Sequence, residues 1–304
     1  MLLLIGCEAR SLASAGGTKI RDLRIIGGAG RGEGFFHEPR AVAALADGAC
    51  VVIDRTGRIQ RFDAQGATTQ LWLLPEWANG QPVALALTPW ETLIVADTHY
   101  HRLLEYTVDG RLLRRFADAE RLGDGPGLEM ARGVAIGADD VIYVTDYGEF
   151  DRVHRFARDG NYLGAFGQRG DGPGDLMRCE GIAITADHDV YVVDSGHHRV
   201  LRFSADGVFK SSFGAPGSGP GELLFPFGIA TGSGDTLYVV DFRGNRVQRF
   251  DAAGRPLGGI GGPGREPGQF ATPHGIAVRA HPAGDLVYVA DTNNHRVQRF
   301  TWEP

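Results

Sequence analysis

Acidic and basic residues recur together along this chain of 304 residues, in a pattern that could support chemistry. Six short apolar runs each end in an aspartate, and an arginine follows four to six residues later. The pairs are Asp54 and Arg58, Asp97 and Arg102, Asp146 and Arg152, Asp194 and Arg199, Asp241 and Arg246, and Asp291 and Arg296. Carboxylates held beside cations are common in catalytic sites. A group needed once in an active site has no reason to occur six times, so the repetition favours a structural role, in which each pair bridges a turn between two strands.

The spacing of these aspartates, 43 to 50 residues, indicates one repeated structural unit. In the fifth copy, turn residues separate four short segments, several of them rich in β-branched and aromatic residues, at 228–230, 236–241, 246–250 and 255–260. No segment shows useful helical periodicity. Four antiparallel strands repeated around an axis form a propeller blade, so the sequence predicts an all-β, six-bladed β-propeller of four-stranded antiparallel blades.

The two ends of the chain are expected to meet in one blade. The sixth copy lacks a fourth strand, whereas residues 18–28 resemble the fourth strand and exit loop of the other copies. We therefore expect residues 20–26 to pair with the strand that ends at Phe300, which would remove an open sheet edge. The predicted domain organisation is a leader remnant and tether over residues 1–17 and the propeller over residues 18–304.

The repeats carry a recognisable motif. In the fifth copy it reads Gly219-Pro220-Gly221-Glu222 and then Pro226-Phe227-Gly228-Ile229-Ala230. In the sixth it reads Pro273-His274-Gly275-Ile276-Ala277-Val278, followed by the segment 291–300. This pattern resembles the NHL repeat family over residues 18–304, and the resemblance implies a six-bladed propeller.

The residues before each Gly-Ile-Ala, or its equivalent, differ from copy to copy. In a propeller the first strand of each blade lines the central channel, so these residues should lie near the channel mouth. They are Arg40, Val83, Arg132, Glu180, Phe227 and His274. Such a set suits a small anionic or peptide-like ligand, with arginine binding a carboxylate through two hydrogen bonds. Alternatively the charges only pair with each other, for instance Glu180 with Arg132.

Loops on the same face are expected to add an aromatic rim of Trp77, Tyr100, Tyr147, Phe150 and Phe242.

Histidines raise the question of a metal. His101, His198 and His295 hold the same repeat position, which favours a hairpin-turn role. The segment 273–277 is similar to the stretch that carries a zinc-binding histidine in peptidyl-hydroxyglycine amidating lyases, which are NHL-like propellers. That resemblance implies His274 as a metal ligand, but the other mouth positions supply no further histidine.

The sequence therefore favours a non-catalytic recognition or scaffold module that binds a peptide, protein or small ligand and needs no cofactor. The alternative is a metal-assisted lyase or hydrolase with zinc or calcium.

Charge and the first residues bear on partners and location. A net charge of −6 argues against nucleic acid as a partner, because binding to nucleic acid depends on lysine and arginine at the phosphates.

Residues 4–7 resemble the lipobox of bacterial lipoproteins. The resemblance implies lipidation of Cys7, a cell-envelope location and membrane contact through the lipid alone. If the resemblance is accidental, a cytoplasmic location is expected. Cys50 and Cys179 should lie across the ring from each other, too far apart for a disulfide. We expect a monomer.

Overall fold

The computed structural model describes residues 12–13, 19–76, 81–118, 121–123, 125–137 and 139–304. Strands β1 (Leu12–Ala13) and β2 (Lys19–Ile26) precede the first blade. Blade 1 is β3 (Pro39–Ala44), β4 (Cys50–Asp54), β5 (Arg58–Phe62) and β6 (Thr68–Leu73). Blade 2 is β7 (Ala84–Leu87), β8 (Thr92–Asp97), β9 (Arg102–Thr107) and β10 (Leu112–Phe116). A small hairpin follows, β11 (Arg121–Leu122) with β12 (Gly125–Pro126).

Blades 3 to 5 have the same order of strands. Blade 3 is β13 (Ala131–Ile136), β14 (Ile142–Asp146), β15 (Arg152–Phe156) and β16 (Tyr162–Phe166). Blade 4 is β17 (Cys179–Ile184), β18 (Val190–Asp194), β19 (Arg199–Phe203) and β20 (Phe209–Phe213). Blade 5 is β21 (Pro226–Thr231), β22 (Leu237–Asp241), β23 (Arg246–Phe250) and β24 (Pro256–Gly261). The predicted all-β, six-bladed propeller is confirmed.

The sixth blade joins the two ends of the chain. It contains β25 (Ile276–Arg279), β26 (Asp285–Asp291) and β27 (Arg296–Trp302), and β2 is its fourth strand. Ile20 pairs with Trp302 and Ile26 with Val297, which confirms the predicted closure of the ring. The short strand β1 pairs with β2 at the outer edge of the same sheet. Because Ile20 and Trp302 are both buried, the closing pair also belongs to the hydrophobic core.

Burial within a blade depends on the position of the strand. Every residue of the second strands β4, β18 and β22 is buried, because both faces of each sheet pack against neighbouring blades. The outer strand β6 instead alternates between half-buried and exposed residues, as expected where one face meets solvent. Cys50 and Cys179 are buried free thiols. Among the described residues, no helix is long and apolar enough to cross a membrane.

In five of the six blades the recurring aspartate and arginine form the predicted pair, which confirms their structural role there. In blade 5, Asp241 accepts hydrogen bonds from the Arg246 Nε at 2.8 Å and from the Leu224 amide at 2.7 Å. Arg246 also donates to the carbonyls of Gly219 and Glu222. The pair therefore fixes the Gly-Pro-Gly-Glu loop against its own hairpin. The same contact between arginine Nε and aspartate joins Arg58 to Asp54, Arg102 to Asp97, Arg199 to Asp194 and Arg296 to Asp291.

Blade 3 shows a variant of this arrangement. Asp146 accepts hydrogen bonds from the amides of Glu129 and Met130, and the Nε2 of His154 lies 3.3 Å from its carboxylate. The aspartate thus keeps its role as an acceptor for the incoming loop, while a buried histidine lies at its other side. The prediction that Arg152 pairs with Asp146 is therefore wrong: Arg152 lies over the ring of Phe150, and His154 occupies the place beside the aspartate.

The histidines of the hairpins link neighbouring blades. His101, His198 and His295 adopt left-handed backbone conformations directly after short 3-10 turns, as predicted for turn residues. The Nδ1 of His198 accepts a hydrogen bond from the Phe225 amide at 3.0 Å, and the Nδ1 of His295 accepts one from the Glu38 amide at 3.1 Å. These contacts hold each hairpin against the next blade.

Candidate functional site at the channel mouth

In each blade the first strand, with a residue one or two positions before it in blades 2 and 6, contributes three residues around the channel, two positions apart, because side chains alternate along a strand. The upper ring consists of the six predicted mouth residues Arg40, Val83, Arg132, Glu180, Phe227 and His274. The waist consists of Val42, Leu85, Val134, Ile182, Ile229 and Ile276, each at most 9% exposed. The lower ring consists of Ala44, Leu87, Ile136, Ile184, Thr231 and Val278, all half-buried. Among these three rings, only the upper one contains charged side chains.

Several upper-ring residues lie on β-bulges. Pro39 pairs with Asp54 while Ala41 pairs with Ile53, so Arg40 is an extra residue in its strand. The register shifts in the same way at Arg132, and over two residues at Glu180 and Phe227. A bulge re-aims a side chain and bends its strand. The bulges thus change the direction in which these variable side chains leave their strands.

Glycine follows the upper-ring residue in four blades because adjacent inner strands approach closely there. A Cβ on Gly228 would lie 2.5 Å from the carbonyl oxygen of His274, and one on Gly275 would lie 2.6 Å from that of Arg40. Gly133 and Gly181 meet the next blade in the same way. The glycine of the Gly-Ile-Ala motif is therefore required by packing around the channel, and it leaves the preceding side chain free to vary.

Arg132 and Glu180 form a two-pronged ion pair across two blades. The Nε and Nη2 of Arg132 donate to the two carboxylate oxygens of Glu180 at 2.8 and 3.0 Å. Burial lowers the pKa of Arg132, but the Glu180 carboxylate outweighs it, so the pKa is raised. This pairing is the arrangement that the sequence offered as the alternative to a ligand contact, and it neutralises both groups.

Arg40 belongs to a second cluster with more positive than negative charge. Its Nη2 lies 3.0 Å from the Glu38 carboxylate, which also accepts from the Nη1 of Arg55 at 3.1 Å. Burial lowers the pKa of Arg40 despite Glu38, and Arg55 and Arg132 lower it further. The buried Nε of Arg40 has no hydrogen-bond partner among the described residues. Three guanidinium groups thus share two carboxylates at the mouth.

His274 is a neutral histidine with both ring nitrogens engaged. Its Nδ1 lies 3.0 Å from the Thr272 carbonyl oxygen and 2.9 Å from the Thr292 hydroxyl, and its Nε2 lies 2.5 Å from the Nη1 of Arg40. A carbonyl only accepts and a guanidinium only donates, so Nδ1 carries the proton and Nε2 accepts. Burial and the charge of Arg40 lower the pKa of His274 to about 3.

An aromatic cluster lies beside this histidine. The rings of Phe227 and Phe242 stack at 4.3 Å, and they lie 4.9 and 5.0 Å from the His274 ring. Phe242 was predicted as a rim residue, and the structure brings it into contact with the upper ring. The mouth therefore combines a planar apolar surface with guanidinium groups.

The other predicted rim residues lie beside arginines. Tyr147 is 5.7 Å from the Arg178 guanidinium, and Phe150, 39% exposed, lies under Arg152 at 4.4 Å. Tyr100 contacts Arg102 in the same manner. Trp77 falls outside the described residues.

Four residues of the site were not predicted from the sequence: Glu38, Arg55, Thr272 and Thr292. Of these, only Glu38 could have been found, because it is an acidic residue two positions before Arg40.

The mouth offers little to a metal ion. Neither nitrogen of His274 is available without breaking a contact, and the described part of the chain contains no group of three histidine, cysteine, aspartate or glutamate side chains arranged to bind one. A cavity of about 90 Å³ lies between the upper ring and the waist, lined by Arg132, Glu180, Phe227 and His274 among others.

Family comparisons agree with the architecture and the repeat. The family described as a 6-bladed beta-propeller matches residues 136–205 and 185–261, and the NHL repeat matches residues 270–300. The chain is thus a six-bladed β-propeller with an NHL repeat in its last blade. No curated protein matches it by sequence.

Solved structures with the same fold have varied functions. Virginiamycin B lyase from Staphylococcus aureus is 14% identical with a TM-score of 0.62, over 92% of this chain and 99% of that one. A gluconolactonase from Xanthomonas campestris is 16% identical with a TM-score of 0.67, over 98% and 96%. An auxiliary nutrient binding protein from Bacteroides thetaiotaomicron is 12% identical with a TM-score of 0.67, over 93% and 76%. At these identities the likeness concerns the fold alone.

Proposed function

We propose that the protein is a non-catalytic recognition module that binds a carboxylate-bearing ligand at the channel mouth. The observation that carries this proposal is the surplus of positive charge around Arg40, where three guanidinium groups share two carboxylates. A partly buried cation without a full partner is unfavourable, and an incoming anion relieves that cost. A carboxylate is the natural match because it accepts charge-assisted hydrogen bonds from a guanidinium, and the Nε of Arg40 is a donor without a partner among the described residues.

The aromatic cluster narrows the ligand further. Phe227 and Phe242 present stacked rings next to the Arg40 and His274 contact. A ligand whose carboxylate meets Arg40 would place its neighbouring atoms against these rings, where aromatic contacts add favourable energy. The shared chemistry is a carboxylate attached to an aromatic or apolar group. A small aromatic acid and a peptide with a C-terminal phenylalanine both supply it.

Calorimetric titration of two matched ligand pairs tests this proposal. The first pair is hippurate and its amide, and the second is the peptide Ala-Ala-Phe as free acid and as amide. A charged hydrogen bond contributes roughly 1.5–3 kcal/mol, so each acid should bind about 10- to 100-fold more tightly than its amide. Tight binding by hippurate indicates a small-molecule ligand, and tight binding by the peptide acid alone indicates a peptide or protein terminus.

Variants locate the contact. Arg40→Gln should abolish the preference for the acid, whereas Arg279→Gln, at the end of an inner strand below the lower ring, should keep it. Equal affinity for acid and amide, or acid binding that survives both Arg40→Gln and His274→Ala, would refute the proposal.

The lyase or hydrolase alternative is less well supported, because His274 donates to a carbonyl and accepts from Arg40 in the geometry described above. Metal analysis of the purified protein separates the two functions. Stoichiometric zinc or calcium that is lost in His274→Ala would favour the alternative over the binding module.

We also propose a cell-envelope location, which rests on the resemblance of residues 4–7 to a lipobox. Cys7 lies outside the described residues. Metabolic labelling with a fatty acid should mark the wild-type protein and leave Cys7→Ser unlabelled, and labelling of neither would remove the support for this location.

A further inference from the structure

In blades 1, 5 and 6, the residue two positions before the upper ring has a strained backbone. Glu38, Phe225 and Thr272 have φ angles of 54°, 52° and 47°, in the left-handed region that residues other than glycine rarely adopt. Each of the three precedes a proline, and the residue before a proline favours an extended backbone instead. A contact from elsewhere in the protein is therefore needed to hold these residues in place.

The preceding blade supplies that contact, from the residue just before the arginine of its own repeat. This residue accepts a hydrogen bond from the backbone amide of the strained residue, and we call the contact an amide latch. His295 holds Glu38 at 3.1 Å, His198 holds Phe225 at 3.0 Å and Asn245 holds Thr272 at 2.8 Å. The acceptor is a histidine Nδ1 in the first two latches and an asparagine Oδ1 in the third.

The latch on Glu38 requires a neutral imidazole. A backbone amide only donates, so the Nδ1 of His295 must be unprotonated to accept from it. A protonated imidazole carries hydrogen on both nitrogens and would present a donor to a donor. Histidine changes its charge between about pH 5 and pH 8, whereas the asparagine in the latch of blade 5 does not titrate. The latch on Glu38 is therefore sensitive to pH, and the latch on Thr272 is not.

Glu38 is the counter-charge of Arg40. Its carboxylate accepts from the Nη2 of Arg40 at 3.0 Å and from the Nη1 of Arg55 at 3.1 Å. If His295 releases the amide, Glu38 relaxes toward the extended backbone favoured before Pro39, and its side chain leaves its place beside Arg40. Arg40 is the group proposed above to bind the carboxylate of a ligand. Glu38 and the ligand therefore compete for the same guanidinium.

Other charged groups near this latch do not replace it. The charged and titratable side chains of the segments that meet here are His37, Glu38, Arg40 and Arg55 from blade 1 and Asp291 and Arg296 from blade 6. Both carboxylates among them already pair with arginines. The ring of His37 lies 5.9 Å from that of His295, so a proton on His37 adds charge there but removes no acceptor from Glu38.

We propose that His295 is a positioning residue that makes carboxylate binding at the mouth depend on pH. The neutral imidazole holds Glu38 beside Arg40. The protonated imidazole releases Glu38 and leaves Arg40 to the ligand, so an anionic ligand binds more tightly in acid. The ligand in this inference rests on the proposed function, whereas the latch rests on the contacts of His295 alone.

Amide hydrogen exchange, followed by nuclear magnetic resonance, tests the latch without a ligand. In the wild type, the protection of the Glu38 amide, corrected for the intrinsic exchange rate, should fall at least about fivefold between pH 8.0 and pH 5.0, the range in which histidine changes its charge. The Thr272 amide, held by Asn245, should keep its protection and is the control within the same molecule. His295→Asn copies the acceptor of blade 5 and should make the protection of Glu38 independent of pH.

Calorimetric titration with hippurate at the same two pH values tests the effect on the mouth. The carboxylate of hippurate stays ionised at both, because a carboxyl group of this kind titrates below about pH 4. The wild type should bind it about fivefold or more tightly at pH 5.0, at the lower end of the usual coupling between two sites. His295→Asn should lose most of this gain and match the wild type at pH 8.0. His198→Asn, which changes the latch on the uncharged Phe225, should keep the gain.

The two measurements separate the latch from the proposed function. Unchanged protection of Glu38 in the wild type, or the same loss of protection in His295→Asn, would overturn the latch. Hippurate binding that is unchanged or weaker in acid, or a gain that persists in full in His295→Asn, would overturn the control of the mouth by His295. Absence of hippurate binding at both pH values would count against the proposed function, while the exchange measurement would still decide on the latch.

Discussion

The buried, neutral state of His274 makes the stability of the protein depend on pH in a specific way. In the native state the imidazole stays neutral down to a pKa of about 3, because it is buried and its Nε2 faces Arg40. In the unfolded chain a histidine takes up a proton below about pH 6.5. Between these values the unfolded state binds more protons than the native state, so this residue lowers the free energy of unfolding as the pH falls.

The size of the effect follows from the two pKa values. Each pH unit below 6.5 costs about 1.4 kcal/mol, so a change from pH 7.5 to pH 5.0 should reduce the free energy of unfolding by about 2 kcal/mol through His274 alone. Urea unfolding of the wild type and of His274→Gln at both pH values isolates this term, because the other titrating groups are common to both proteins. The wild type should lose about 2 kcal/mol more than the variant.

Two observations complete this test. His188→Gln removes an exposed histidine on a turn outside the channel and serves as the matched control. Arg40→Gln removes the neighbouring cation and should bring the pH dependence closer to that of His274→Gln. The reasoning is wrong if the wild type and His274→Gln lose the same stability, or if nuclear magnetic resonance shows His274 taking up a proton near pH 6.5 in the folded protein.

Three further predictions concern the framework and can be measured by urea unfolding. Gly228→Ala should cost roughly 1–3 kcal/mol, because its Cβ would lie 2.5 Å from a carbonyl oxygen, whereas Gly32→Ala, whose nearest contact is 3.8 Å away, should be nearly neutral. Ile20→Ala should cost about 2–5 kcal/mol through the closing blade, and Ile25→Ala, 41% exposed on the same strand, much less; similar losses for both would contradict the role given to closure. Arg246→Ala should cost about 3 kcal/mol because it leaves the buried Asp241 unpaired, and Arg255→Ala, at an ion pair whose arginine is exposed, under about 1 kcal/mol; equal losses would argue against the framework role.

The fold was predictable because the same strand and turn signals occur in each copy of the repeat. Each copy shows an aspartate at the end of a strand, and four copies have a glycine at the close approach of neighbouring inner strands. The sixth copy lacks a fourth strand. These signals are local, so the number of blades and the closure of the ring could be predicted from the sequence alone. The position before Gly-Ile-Ala also predicted which side chains lie around the mouth cavity, and five of the six do: Val83, Arg132, Glu180, Phe227 and His274.

The partners of the upper ring were not predictable in the same way. Arg40 meets His274 across 234 residues of sequence, and the two lie in blades that are adjacent only because the ring closes. Glu38 and Arg55 reach Arg40 from loops, whose course depends on tertiary contacts rather than on a periodic pattern. The balance of charge at the mouth therefore emerged only from the structure, although every residue involved was visible in the sequence.

Pairing of β2 with β27 has a consequence for the order of events during synthesis. Strand β2 leaves the ribosome before any of the blades 1 to 5, and its partner β27 leaves after all of them, so β2 must wait for β27 until those five blades have been made. During that time its edge toward β27 has no partner, and an open strand edge is the kind of segment that recruits other chains. Its charged residues Lys19, Arg21, Asp22 and Arg24 are exposed in the finished blade, and they would oppose such pairing in the nascent chain.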